Sequence, residues 1–377
     1  MARLAPQKDD QMGMSFHEEV EAMTKLFAVC CCIAMFAGFA VPTAAQEKQQ
    51  PLRLTQTILL PGVKGRLDHM GVDLEKRRLF VAAVTNNTLE VVDLTGGKVI
   101  NSLTEFKDAQ DALFLGGDFN RLYVTSLDGH VRVFQGDTFR LVQDFKTEAG
   151  PNRLFYDPAT NLIYFGYGGQ MAGNNASERV GILQPKGGAG NDQLVGALVV
   201  PTPRPGHLAE IAMEDNGILL VCDSLADLIF QFDTQKRDLI KSWPARGDGA
   251  ADMALDRIRH RLFVGTRIPP EMTVYDSFSG KEIQSLPAPE TMDGVYYDAN
   301  LKRVCDGRAL VWDASSLAGL DLRLPAERPR PLRGDFQDQD QTRFGHFAFS
   351  TPIQQVYVAS QAIGDQEAAI LVFEPVQ

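Results

Sequence analysis

A chain of 377 residues, 44% hydrophobic and 23% charged, has the composition of a folded globular protein rather than a disordered or fibrous one. Its net charge of −11 at pH 7 disfavours a nucleic-acid backbone as partner. The one dense basic stretch, 323–333 (RLPAERPRPLR), is broken by prolines and reads as an extended surface loop.

Taken in order, residues 1–22 are charged, lack an apolar period and precede Met23. They read as an upstream extension not native to the chain, with Met23 as the expected start. Lys25 leads into the mostly apolar run Leu26 to Val41, followed by Pro42 and the small residues Thr43, Ala44 and Ala45. This is the build of a signal peptide, 23–45, with cleavage expected after Ala45. The apolar run falls short of the roughly 18–20 residues that cross a bilayer. The mature chain is therefore expected in the periplasm or outside the cell, without a transmembrane span. Cys30, Cys31 and Cys32 leave with the signal. Cys222 and Cys305 fall in strand-like runs of non-consecutive repeats and are expected as buried free thiols.

Beyond a linker at 46–50, one unit recurs. It is plainest at Arg78 to Leu94, RLFVAAVTNNTLEVVDL. Two apolar runs flank Thr85-Asn86-Asn87-Thr88, which is turn chemistry because Asn tolerates φ > 0. The first run returns as Arg121-Leu-Tyr-Val124, Leu162-Ile-Tyr-Phe165, Ile218-Leu-Leu-Val221 and Arg261-Leu-Phe-Val264. It returns again, degraded, as Lys302-Arg-Val-Cys305, and is restored as Gln355-Val-Tyr-Val358. Intervals of roughly 40–55 residues with several short strands each are the signature of propeller blades. A short apolar run ending in Asp precedes each (Met70 to Asp73, Leu154 to Asp157, Met253 to Asp256, Val295 to Asp298), and two more strands follow. The expected fold is all-β: a seven-bladed β-propeller of four-stranded blades occupying 51–377 as a single domain.

The last unit stops at its third strand, Ile370 to Phe373, whereas the stretch Leu52 to Leu60 supplies a spare alternating strand. The N-terminal strand is expected to join the last blade, close the ring and remove an exposed edge. Two places depart from the repeat. Gly166 to Asp192, rich in Gly, Asn and Ser, reads as extended loops, and Pro325 to Thr342 reads as a long loop after a short sixth blade.

The segments RLFVAAVTNNTLEVVDLTGGKV, RLYVTSLDGHVRVF, RLFVGTRIPPEMTVYDSFSGKEI and VYVAS resemble the secreted YVTN-type β-propeller repeat family. The opening LTQTILLPGVKGRLDHMGVDL resembles the start of its extracytoplasmic members. The resemblance covers about 51–377, weakest at 166–200 and 303–342. It implies an extracytoplasmic seven-bladed ring of a family whose members are mostly uncharacterised. Relatives on similar rings range from lactonases and quinoprotein-like dehydrogenases to cell-surface binding modules, so fold alone does not choose among them.

In a propeller the innermost strands line a central channel, and a channel mouth is the natural ligand site. Counting back four residues from the Asp that ends each inner run selects His69, Arg153, Glu210, Asp252, Gly294 and His346, with Ala112 in the second blade. Five back selects Asp68, Asp111, Asn152, Ala209, Ala251, Asp293 and Gly345, and His207 lies just upstream in the fourth blade. The candidate ligand-binding residues are thus Asp68, His69, Asp111, Asn152, Arg153, His207, Glu210, Asp252, Asp293 and His346. No catalytic residue is assigned. If a divalent metal binds, His69, His346, Glu210 and Asp252 are its expected ligands; no other cofactor is expected. Asp335, Asp338 and Asp340 have loop-calcium spacing but lack the central Gly and terminal Glu of an EF-hand loop. Asn86 and Asn175 head glycosylation sequons. No CxxC, HExxH, CxxCH, nucleophile elbow or phosphate loop is present.

The expected function is a monomeric secreted or periplasmic binding module for a protein, glycan or small ligand at one channel mouth. The alternatives are a metal-dependent hydrolase of lactonase type or a quinoprotein-like oxidoreductase working in the channel.

Overall fold

The computed structural model describes residues 52–376 except 149, 171–175, 189, 289–291, 293, 307–310, 315–318, 321–343 and 351–354. The expected signal peptide 23–45, the basic stretch 323–333, the residues Asp335, Asp338 and Asp340, and Asn175 lie outside the described residues.

The strands assemble as an all-β propeller of four-stranded antiparallel blades. β1 (Leu52–Leu60) is set apart from the repeat that follows it. The first blade is β2 (Leu67–Asp73), β3 (Arg78–Ala83), β4 (Thr88–Asp93) and β5 (Lys98–Leu103), paired in that order. The second is β6 (Ala109–Leu115), β7 (Arg121–Ser126), β8 (His130–Gln135) and β9 (Leu141–Lys146). The third is β10 (Leu154–Asp157), β11 (Leu162–Gly169), β12 (Ala176–Gln184) and β13 (Gln193–Val199). The fourth is β14 (Leu208–Glu214), β15 (Ile218–Asp223), β16 (Leu228–Asp233) and β17 (Asp238–Pro244). The fifth is β18 (Asp252–Asp256), β19 (Arg261–Arg267), β20 (Pro270–Asp276) and β21 (Glu282–Pro287).

A much smaller sheet follows: β22 (Val295–Asp298), β23 (Arg303–Asp306), β24 (Val311–Asp313) and β25 (Gly319–Leu320). The last full blade is β26 (Phe344–Ser350), β27 (Gln355–Ser360) and β28 (Ala368–Pro375), with β1 as its outer strand. Seven equal blades are therefore not what the described residues form. Six sheets are full blades, and the β22–β25 sheet dwindles to a two-residue outer strand. The degraded repeat at Lys302 to Cys305 marks the place. β1 pairs antiparallel with β28 from Leu52 opposite Pro375 to Leu60 opposite Ala368.

Period-2 side-chain geometry explains why the second strand of each blade reads as an unbroken apolar run. On β3, Leu79 and Val81 pack with Ile58, Leu60, Tyr357 and Ile370 of the neighbouring blade. Phe80 and Ala82 point the other way, into a cluster with Leu122, Val124 and Phe134. A strand between stacked blades buries both faces, and each such side chain contributes roughly 1.5–3 kcal/mol.

Three of the inner hairpins share one turn device. Asp73 Oδ1 accepts from the backbone N–H of Glu75 (3.1 Å) and Lys76 (3.2 Å), and its Oδ2 accepts from Arg78 Nε at 2.9 Å. Asp256 and Asp298 do the same for the two N–H groups of their own turns. The residue closing each turn is left-handed: Arg77, Asn120, Asn161, His260 and Lys302 all have φ between 44° and 54°. His260 is thus a turn residue. Asn87 has φ 59°, as the turn chemistry of TNNT requires. Asn86 spends its amide on the Gly62–Lys64 segment, accepting from Lys64 N at 2.9 Å and donating to Gly62 O at 3.2 Å.

The stretch expected as extended loops is partly strand: β11 runs on to Gly169, and β12 supplies the third strand of its blade. Val180 and Ile182 of β12 are core residues facing the fourth blade, and Leu183 faces the second. Cys222 and Cys305 are buried thiols outside any disulfide. Among the described residues no helix is long and apolar enough to cross a membrane.

Candidate functional site

The inner strands break register where the candidate residues stand. Pairing shifts between Leu67 and Met70 on β2, Ala109 and Asp111 on β6, and Leu208 and Glu210 on β14. A bulge of this kind re-aims the side chains beside it. Beyond the bulges, Asp111 stands opposite Thr125, Glu210 opposite Cys222 and Asp252 opposite Gly265, each partner being the fifth residue of the repeat's second strand. Asp111, rather than Ala112, is therefore the second blade's counterpart of Glu210 and Asp252. Counting back from a terminal Asp misplaces it because β6 ends in Leu115.

These positions form a closed ion-pair cluster around Arg153. Its Nε donates to Glu210 Oε1 at 2.8 Å, and its Nη1 donates to Asp111 Oδ2 at 3.2 Å. Burial opposes the guanidinium charge, but Glu210, Asp111 and Asp252 outweigh it and raise the Arg153 pKa. The three carboxylates are nearly inaccessible, at 1% (Asp111), 4% (Glu210) and 4% (Asp252) exposure. Each is also held by backbone: Asp111 Oδ1 by Ala112 N and its Oδ2 by Leu154 N, both at 2.8 Å, Glu210 Oε1 by Ile211 N and Asp252 Oδ1 by Met253 N, both at 2.9 Å. Burial pushes the Asp111 carboxyl up to about 6 although Arg153 and two N–H donors pull it down, and Glu210 adds to the rise.

A second set opens as a recess of about 120 Å³ at the same end of the inner strands. Asp68, His69, Asn152 and His207 line it, joined by Arg66, Gln110, Ser224 and Arg267, which the sequence reading missed. Arg66 Nη2 donates to Asp68 Oδ2 at 2.6 Å and to Gln110 Oε1 at 3.0 Å, tying the first blade to the second. His69 Nε2 is 3.7 Å from Asp68 Oδ1. Gln110 could have been found, since it stands one residue before Asp111 just as Asp68 precedes His69. Arg66 and Arg267 carry no repeat signal.

The recess has a neutral histidine at its wall. Burial pushes His207 down to about 4; Asp68 and Asp223 oppose this, while Arg66 and Arg267 reinforce it. Asn152 Nδ2 lies 2.9 Å from His207 Nε2 and donates to it, which puts the ring hydrogen on Nδ1. The other amide atom, Asn152 Oδ1, is buried and has no hydrogen-bond partner.

The ten candidate residues thus divide. Asp68, His69, Asn152 and His207 meet in the recess, while Asp111, Arg153, Glu210 and Asp252 form the ion-pair cluster. Asp293 lies outside the described residues, as does the side chain of His346, whose backbone belongs to β26. Of the expected metal set, Glu210 is hydrogen-bonded to Arg153 and His69 lines the recess, while the His346 side chain lies outside the described residues. Among the described residues no group of three or more His, Cys, Asp or Glu is placed to hold a metal ion. Comparison of the chain with family models and with curated proteins finds no match.

Proposed function

We propose that this chain is an extracytoplasmic binding module of YVTN type that takes a small polar ligand, or the polar end of a larger one, in the recess at one channel mouth. In this reading residues 23–45 are a signal peptide removed after Ala45. The β22–β25 sheet is the sixth blade of a seven-bladed ring, and β1 closes that ring by completing the seventh. Two contacts support the closure: the β1–β28 pairing, and Arg303 Nη1 donating to Val376 O at 3.3 Å, which links the short sheet to the chain just past β28.

The observation that carries the ligand reading is Asn152 Oδ1. A buried carbonyl oxygen without a donor costs about 1–3 kcal/mol, and here it belongs to a residue that lines the recess beside the neutral ring of His207. A hydroxyl, amine or amide N–H from a ligand would satisfy it. At about 120 Å³ the space suits a small molecule or end group rather than a drug-sized ligand, whose sites run to roughly 300–1,000 Å³.

A panel of monosaccharides, amino acids and small organic acids, screened by thermal shift against the mature protein, tests the reading. At least one compound should raise the midpoint of the wild type and fail to do so in Asn152→Leu. Stabilisation that persists unchanged in Asn152→Leu, or a panel in which nothing binds, would overturn it.

A further inference from the structure

A second pair of acids stands behind the recess wall. Glu178 on β12 and Asp223 at the end of β15 are both wholly inaccessible, each at 0% exposure. Both Glu178 oxygens and Asp223 Oδ2 are buried without a hydrogen-bond donor. Asp223 Oδ1, by contrast, is saturated, accepting from His207 N at 2.9 Å, Leu225 N at 3.0 Å and Ala226 N at 2.8 Å.

The space around the pair is closed by backbone. A Cβ on Gly206 would sit 2.0 Å from Asp223 Oδ2, and one on Gly169 would sit 2.6 Å from Glu178 Oε1 and 2.3 Å from Gly206 O. The two carboxyl groups therefore sit against the same glycine backbone, beside one another. Arg179, the next residue on β12, turns to the opposite face and reaches Glu148 at 3.9 Å. Two ionised carboxylates at such a spot would repel with no solvent to screen them.

We propose that Glu178 and Asp223 share one proton, with the Glu178 hydroxyl donating to Asp223 Oδ2, and that this bond positions the His207 wall of the recess. The link runs through Asp223. Its other oxygen holds the His207 N–H and the turn at Leu225 and Ala226, and His207, Ser224 and Leu225 all line the recess. Glu178 is thus a positioning residue that touches no ligand. The inference needs only the fold, whatever the recess binds.

The electrostatics agree. Burial pushes the Glu178 carboxyl up to about 9, the neighbouring Asp223 adds to the rise as hydrogen-bond partner and like charge, and the nearby Gly206 N–H, short of hydrogen-bond geometry, opposes it. Among the titratable groups beside the pair, His207 is held neutral and burial raises the Cys222 thiol, while the cations Arg66 and Arg267 act on His207 from the recess side. The folded chain keeps a proton that an unfolded Glu, with its ordinary 4.5, releases. Stability therefore falls as pH rises above 4.5, and the loss is complete once pH passes about 9.

Infrared spectroscopy of the ligand-free mature protein, with NMR of the His207 ring, tests this. At pH 7 the wild type should show a protonated-carboxyl stretch that disappears in Glu178→Gln and on titration through about 9. Glu178→Gln keeps a donor for Asp223, so it should preserve the His207 ring resonances while losing the alkaline decline in thermal midpoint. Glu178→Ala, if it folds, should shift those resonances. Absence of the carboxyl stretch at pH 7, or an alkaline decline that persists in Glu178→Gln, would overturn the proposal. So would stoichiometric metal in the wild type that is lost in Glu178→Gln.

Discussion

Arg153 and Asp111 meet at 3.2 Å from adjacent blades, and the guanidinium that reaches Asp111 also reaches Glu210 on the far side. One cation thus joins three consecutive blades beside their inner strands. The carboxylates are buried and Arg153 part-exposed, so removing the cation leaves them uncompensated at a cost of up to about 3 kcal/mol. Arg153→Met should lower the stability of the protein by about that amount in urea unfolding. An unchanged midpoint would show that the carboxylates do not need the cation.

Asp111 should carry a pH signature. Burial raises its carboxyl from 3.8 to about 6, so the folded chain holds the proton more tightly than the unfolded one. Its contribution to stability is full below 3.8 and is lost as pH rises through about 6. Asp111→Asn should flatten that part of the stability profile. In Arg153→Met, carboxyl-detected NMR should find Asp111 titrating higher still, because the cation that pulls it down has gone.

Gly181 lies against the face of a core phenylalanine. A Cβ there would sit 2.3 Å from Phe165 Cζ, and Phe165 is wholly buried. Gly181→Ala should therefore cost about 1–3 kcal/mol by overpacking, read from the urea midpoint. Phe165→Leu in the same chain should recover part of the loss. A neutral Gly181→Ala would mean that the ring moves freely.

Deleting Leu52–Leu60 should leave β28 with an open edge and bare the surface that Ile58 and Leu60 cover. Size-exclusion chromatography should show soluble oligomers or aggregates in place of the mature species. A peptide of the deleted sequence, added during refolding, should restore the mature elution position. A truncated chain that elutes and melts like the full one would remove β1 from any closing role.

Much of the fold was legible because the repeat encodes it twice. Strands such as β3 are apolar on both faces, and the Asp73–Arg78 turn writes its hydrogen bonds into the residue types. The β11–β12 hairpin was hidden for the opposite reason. Its glycines read as loop, yet Gly181 is required by the ring packed over it, and Gly169 by the carboxyl beside it. At the site, residue types marked the inner strands correctly, but the bulges on β2, β6 and β14 decide which residues share a level. That is why Asp111 was paired with the wrong neighbours. Arg66 and Arg267 come from outside the repeat register, so no periodicity could expose them.

The β1–β28 pairing also sets a timetable. Thr55 Oγ1 donates to Val372 O across 317 positions of chain. Loop closure over such a span is entropically slow, and non-local pairing of this kind delays folding. During synthesis the earliest strand must wait, unpaired, while nearly all the remaining chain emerges. A nascent chain stalled before Ala368 has no native partner for that strand, so a holding chaperone would find its most persistent target in the segment around Ile58 and Leu60.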